Sequence, residues 1–384
     1  MNRSRRRVAP VLTTGIAALV FGGAAGLTRM GADLPLVSTR LVEQHGALLV
    51  LGFLGTLIVL ERAVALGRRW AFASPILCAV GAVALMVGLP LTLAAALVSA
   101  GMMVLVLIFV AVMRIQRSLP TAVLTASSVF AVSGALLWTA GVSIRTVVPW
   151  LVGFLVFAIV GERLDLARFA AGNARVAPFV GSLLIAGVGI AVSPLGTAVA
   201  GWLIGTGLLG LVVWLARHDV ARRTVHGRGV ARFSALGLLF GYVSLTLAAL
   251  AILYDGDVDT GRFADIAIHG VFVGFAMSMV MAHAPIIGPS VLRIPLRFSP
   301  LAYLPLFVLQ FSLALRYAGD VASDHALVLA GGIGNAVALL GFVLGMMATV
   351  VWSVRAGGES RSAAGRGPLH GADRRRRPGQ AGLR

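Results

Sequence analysis

One cysteine, Cys78, stands in 384 residues, so the chain closes no internal disulfide and builds no cysteine-ligated cluster. Lysine is absent, and every basic residue is arginine. Charged residues of both signs make up only 12% of the chain against 59% apolar ones, with a mean hydropathy of +0.96. Soluble domains carry about 25% charged and about 45–50% apolar residues, so a soluble fold is excluded and a polytopic membrane protein is implied.

A bilayer core about 30 Å thick takes about 20 residues of helix. Twelve apolar runs reach that scale between charged or Gly/Pro-rich breaks: 8–28, 42–66, 70–89, 91–113, 120–140, 146–167, 178–192, 197–216, 231–254, 263–287, 300–317 and 325–354. The expectation is an all-α bundle of about 12 transmembrane helices, a single domain over 8–354. The seventh run is short and Gly-rich and meets the eighth across Ser193-Pro194-Leu195-Gly196, the pattern of a broken hairpin.

Arginines near helix ends stay cytoplasmic. With the N-terminus inside, the inner segments hold Arg3, Arg5, Arg6 and Arg7, then Arg62, Arg68 and Arg69, then Arg114 and Arg117, then Arg163, Arg168 and Arg175. Arg217, Arg222, Arg223, Arg228, Arg232, Arg293 and Arg297 follow on the same side. The outer side keeps Arg29, Arg40, Arg145, Arg262 and Arg316, and collects Asp33, Glu43, Asp255, Asp257, Asp259, Asp265, Asp320 and Asp324. Both termini are therefore expected in the cytoplasm of a cell with a multi-pass protein in its inner membrane.

The formal charge of +18 is spread over short juxtamembrane loops, which fits topology and contact with anionic lipid and gives no nucleic-acid partner. Residues 1–7 read as a basic cytoplasmic N-terminus. The first apolar run exceeds the 7–15 residues of a signal-peptide core and is expected to remain as a helix. From Arg355 onward the chain lacks apolar residues to fold, so 355–384, with Arg374 to Arg377, reads as a disordered, Arg-rich cytoplasmic tail.

Ionisable groups inside spans are costly and face a partner, a cavity or a cofactor. His45 and His269 both open apolar runs with His-Gly, on the second and tenth spans, which run in the same direction; both fall near the outer end. Gly52 follows His45 by seven residues, and Ala276 and Val280 share the His269 face, so small residues would let a flat macrocycle lie close. Haem iron accepts imidazole from two sides and then has no position left for a gas ligand, which suits electron transfer or haem sensing. The bland reading makes each histidine an interfacial residue hydrogen-bonded near a helix end.

Toward the inner side a pattern repeats. Gly52-Phe53-Leu54 is followed six residues later by Glu61-Arg62, and Gly153-Phe154-Leu155 six residues later by Glu162-Arg163. Gly274-Phe275 places His283 where the other two spans carry Glu. Glu61, Glu162 and His283 at one depth suit a second metal ion or a proton path; the simpler reading pairs each Glu with an Arg, its neighbour or one across a helix gap. Pro285 and Pro289 are expected to break or kink the helix just after His283. His269 and His283, fourteen residues apart, would be nearly in phase along a regular helix. Gln310 and Asn335 are expected to hydrogen-bond between helices. His325 beside Asp324, His218, His226 and His370 read as exposed, and Cys78 as core filler.

These segments, His45-Gly46 through Gly52 to Leu66, His269 through Phe275, and Ala282-His283-Ala284-Pro285-Ile286-Ile287, resemble a family of bacterial polytopic membrane proteins without an assigned activity. That family is similar in layout to the NnrS-type haem proteins and, more distantly, to the catalytic subunit of haem-copper oxidases, with twelve helices and haem histidines on the second and tenth. The resemblance implies haem b on His45 and His269, in electron transfer, haem sensing or tolerance of nitrosative stress, with a redox partner or respiratory complex. The oxidase's copper-ligating histidines lie on its sixth and seventh helices, and those spans here contain none, so no dinuclear centre is expected. The NnrS-type proteins space their histidines differently. No covalent haem attachment motif is present. The rival is a proton-coupled transporter or permease using Glu61, Glu162 and His283; a scaffold for a respiratory complex is a third reading.

Overall fold

A computed structural model of the chain describes residues 3–32, 34, 37–171, 176–292 and 298–364. Asp33, Arg175, Arg293, Arg297 and the tail from residue 365 lie outside the described residues. The described residues are helical throughout their ordered elements, with no strand, and hold twelve helices long and apolar enough to cross a membrane. These are α1 (Val8–Arg29), α2 (His45–Leu66), α3 (Arg69–Met86), α4 (Leu91–Ile115), α5 (Leu119–Thr139) and α6 (Ile144–Ala167). The second half holds α7 (Ala177–Leu195), α8 (Ala198–His218), α9 (Gly229–Asp255), α10 (Ala264–Pro289), α11 (Pro300–Ala322) and α12 (His325–Ser353). All twelve expected spans are present, and the chain is a multi-pass membrane protein. The helix containing α1 reaches back to Arg3, and the one containing α12 continues to Ala364.

Helices end where a residue can turn left-handed. Gly67 after α2 (φ 68°) and Gly88 after α3 (φ 79°) take a conformation that other side chains rarely adopt; Gly67 N–H donates to the Ala63 carbonyl. Ser323 (φ 58°) is the non-glycine residue that makes the same turn between α11 and α12. The seventh and eighth spans form a tight pair of separate helices. They meet backbone to backbone, because a Cβ on Gly189 would lie 2.7 Å from Ile204 N and one on Gly207 2.5 Å from Ala186 N.

Three helices form the centre. The most buried spans are α2 (67%), α6 (78%) and α10 (61%), four helices apart in sequence, whereas α7 and α12 (28% each) lie at the rim. They are also the helices that carry the repeated Gly-Phe pattern. Gly55 of α2 leaves room for Met102 of α4, and α6 packs directly on α10. Phe154 and Phe275, each following the patterned glycine, are fully buried.

Two central helices are not regular. α2 winds as a π-helix over Leu48–Gly55, and α10 over Gly270–Met277. In both, the fifth and sixth residues of the segment are Gly-Phe, and in both the segment begins within three residues of the histidine. Extended π-helix is rare and recurs at functional sites. α6 has the same Gly153-Phe154-Leu155 yet stays α-helical throughout. Under-winding changes the azimuth of everything below it, so the in-phase relation of His269 and His283 expected from a regular helix does not carry over. Pro285 and Pro289 do not break α10, whose helical backbone runs on to Leu292, leaving His283 inside the helix.

Candidate functional site

Polar groups gather at opposite ends of the central helices. One end carries the acidic loops and both His-Gly pairs; the other carries the arginine-rich loops.

At the acidic end, α2 is fixed before it begins. A short helix, Thr39–Glu43, is capped by Ser38 Oγ, which accepts from Leu41 N at 3.3 Å. Gln44 Oε1 accepts from Trp138 Nε1 of α5 at 3.0 Å, and Arg40 donates to the carbonyls of Gly88 and Leu89. His45 follows, half-buried, with Nδ1 donating to Val42 O at 2.9 Å. α10 is fixed by α9, whose Asp255 carboxylate accepts from Arg262 N and Phe263 N at the start of α10. His269 Nδ1 donates to Asp265 O at 3.0 Å and lies 3.1 Å from Asp265 Oδ1. Asp265 in turn is gripped by Arg316 of α11 through two hydrogen bonds of 2.6 and 2.7 Å.

The His45 imidazole stands within electrostatic reach of His269, Arg29 and Arg316. No described residue hydrogen-bonds Nε2 of either ring. Gly26 of α1 faces His45, where a Cβ would lie 3.7 Å from Cδ2. Tyr317, beside Arg316, is 91% buried, and its hydroxyl has no hydrogen-bond partner; a Cβ on Gly270 would come within 3.2 Å of it. The small residues expected to admit a macrocycle are otherwise engaged: Gly52 packs on Ala18, Ala82 and Leu48, and Ala276 is in the core. His325 lies apart, exposed, with Nε2 on Met30 O at 3.1 Å. In the loop before α10, partial burial and the neighbouring charge of Asp257 push the Asp259 carboxyl up to about 6.

At the arginine-rich end, Arg62 lies between the carboxylates, donating to Glu61 at 3.1 Å and across the helix gap to Glu162. The Glu–Arg pairing expected as the simpler reading is present, with one arginine serving both acids. His283 Nδ1 donates to Met279 O at 2.7 Å, and its ring feels the charges of Glu61, Arg163 and Asp219. Among the described residues no three His, Cys, Asp or Glu side chains converge as a metal site would require. Arg163 does not pair with Glu162; it makes two 2.7 Å bonds to Asp219, whose side chain is fully buried. Asp219 also accepts from Tyr242 Oη at 2.8 Å and from Ala221 N at 2.7 Å, so α6, α8 and α9 close on one carboxylate.

Between the ends, Gln310 donates to Ser278 Oγ at 2.8 Å and Asn335 Oδ1 accepts from Ser312 Oγ at 2.7 Å, the interhelical bonds expected of them. Cys78 is buried against Gly101. A cavity of about 650 Å³ opens between α11 and α12, lined by Pro285 of α10, Phe298, Gly341 and Trp352.

Asp265, Asp219 and Tyr242 were not singled out by sequence. Asp219 follows Arg217-His218 in what reads as a solvated loop, and Asp265 counts as one more outer acid. The one available signal was the i, i+4 spacing of Asp265 and His269.

The chain is similar in fold to a solved membrane protein. It aligns with a haem-copper terminal oxidase solved as a dimer by cryo-electron microscopy, with a TM-score of 0.54 and 12% identity over 91% of this chain and 84% of that one. At that identity the likeness is one of fold. In sequence, the chain belongs to the family described as a domain of unknown function (DUF8744), matched over residues 7–351. A comparison with curated proteins finds no match.

Proposed function

We propose that this is a haem-binding electron-transfer protein of the bacterial inner membrane, in which His45 and His269 hold a b-type haem from its two sides near the outer face. The observation that carries the reading is the matched state of the two imidazoles. Each gives Nδ1–H to a backbone carbonyl, His45 to Val42 of the preceding short helix and His269 to Asp265 of α10, each leaves Nε2 without a hydrogen bond from a described residue, and they lie within each other's electrostatic reach. Histidines that ligate metals almost always donate their other ring N–H in this way, which fixes tautomer and orientation. The surroundings fit the group: Arg29 supplies positive charge for a propionate, and the unpartnered Tyr317 hydroxyl supplies a donor. When bound, a bis-histidine haem takes up and releases one electron and has no axial position for oxygen or nitric oxide.

The chain's own residues orient the rings and keep them there, through Gln44–Trp138 at α2 and Asp255 at the start of α10. The likeness in fold to a haem-copper terminal oxidase supports haem as the cofactor, while α6 and α7 contain no histidine with which to build that enzyme's second metal site.

The test is the absorption spectrum of detergent-purified protein from haem-replete cells. Expected are the bands of a six-coordinate low-spin b haem, one per chain, lost in His45→Ala and in His269→Ala. A colourless wild-type protein, or variants with an unchanged spectrum, overturns the assignment. The alternative, a proton-coupled transporter, draws on His283, whose Nε2 also lacks a hydrogen-bond partner among the described residues; it requires uptake into proteoliposomes that Glu162→Gln abolishes.

A further inference from the structure

The two imidazoles are held alike in direction and unlike in chemistry. His45 Nδ1 meets a single neutral acceptor, the Val42 carbonyl. His269 Nδ1 donates to the Asp265 carbonyl at 3.0 Å, and the Asp265 carboxylate Oδ1 lies 3.1 Å from the same nitrogen. That carboxylate is not a loose surface acid. Arg316, whose side chain is 8% exposed, holds it in the two-bond fork geometry that fixes a carboxylate in place, and both partners sit on different helices, α10 and α11.

We infer that Asp265 is a positioning residue that makes His269 the stronger electron donor of the two haem ligands, with Arg316 holding Asp265 in register. The inference rests on the haem reading above. A carboxylate drawing on Nδ1–H shifts electron density toward Nε2, raises the basicity of the imidazole and stabilises the oxidised iron. A neutral carbonyl does this more weakly, so the two sides of the ring plane differ. The nearby Asp320 is a built-in control. It belongs to the same charge cluster as Asp265, Arg316 and His269, and its Oδ2 is buried without a hydrogen-bond partner. It therefore contributes field without touching the imidazole.

The experiment compares wild-type, Asp265→Asn, Asp265→Glu and Asp320→Asn proteins by redox titration and by electron paramagnetic resonance of the ferric state. Asp265→Asn is expected to raise the midpoint potential and to move the low-spin g values away from those of a ligand with imidazolate character. Asp265→Glu is expected to recover both in part. Asp320→Asn is expected to raise the potential through its charge alone, leaving the g values unchanged. Haem loss in Asp265→Asn that Asp265→Glu restores supports the carboxylate role; haem loss in both shows a merely structural residue and overturns it. Loaded Asp265→Asn protein with wild-type g values, or with a shift no different from Asp320→Asn, overturns the inference and leaves the haem assignment standing. A colourless wild-type protein overturns both.

Discussion

The two ends of the central helices are built from similar residues and solved in opposite ways. At the arginine-rich end the fully buried Asp219 carboxylate has four hydrogen bonds, and one guanidinium serves two glutamates. At the acidic end neither histidine ring has a hydrogen bond at Nε2 from a described residue, and the buried Tyr317 hydroxyl has no partner. Buried polar groups are almost always satisfied, because an unmet one costs about 1–3 kcal/mol. The four bonds to Asp219 mark an anchor that ties α6, α8 and α9 together.

This contrast can be broken most decisively by exchanging histidines. His45→Ala or His269→Ala is expected to abolish haem absorbance completely, and His283→Ala to leave it intact; a spectrum of each purified variant decides it. Next in size is Asp219→Ala, which strands the Arg163 guanidinium in the interior and is expected to cost about 3–5 kcal/mol. Cys78, fully buried, reports the loss directly, since a thiol-reactive dye labels it only when the helices part. Tyr242→Phe removes one donor to the same carboxylate and is expected to cost about 1 kcal/mol by the same dye assay. Glu162→Gln, at a partly exposed pair, is expected to cost no more than about 1 kcal/mol.

The smallest effect is one of pH, at the acidic end. Folding favours the neutral form of Asp259, whose carboxyl is pushed up to about 6. Its contribution to stability is complete below the ordinary carboxylate range and is lost as pH rises through about 6. The melting midpoint is expected to fall slightly across that interval in wild-type protein, and the slope to flatten in Asp259→Asn.

Hydropathy alone located every span, because a helix in lipid must bury all its backbone groups and needs about 20 apolar residues to do so. The histidine pair and the Glu-Arg steps were legible for the same reason: polar residues stand out against an apolar background. Their partners were not. Asp219 and Asp265 lie at span margins among other charged residues, and only the folded arrangement of α6, α8, α9 and α11 selects them. The π-helical segments were equally hidden. Leu48–Gly55 and Gly270–Met277 are apolar on every side, so they show no periodicity from which winding can be read. The prolines after His283 do not end the helix, whose backbone runs through both to Leu292.

Those two segments also carry a mechanical consequence. α2 and α10 each hold a π-helical stretch, while α6, with the same Gly-Phe-Leu and the same step to Glu162, holds none. Deleting a single residue such as Val50 or Val273 would return the helix to regular winding and swing its histidine about 100° around the axis. The direction in which each imidazole points is therefore set by the winding of the eight residues beside it.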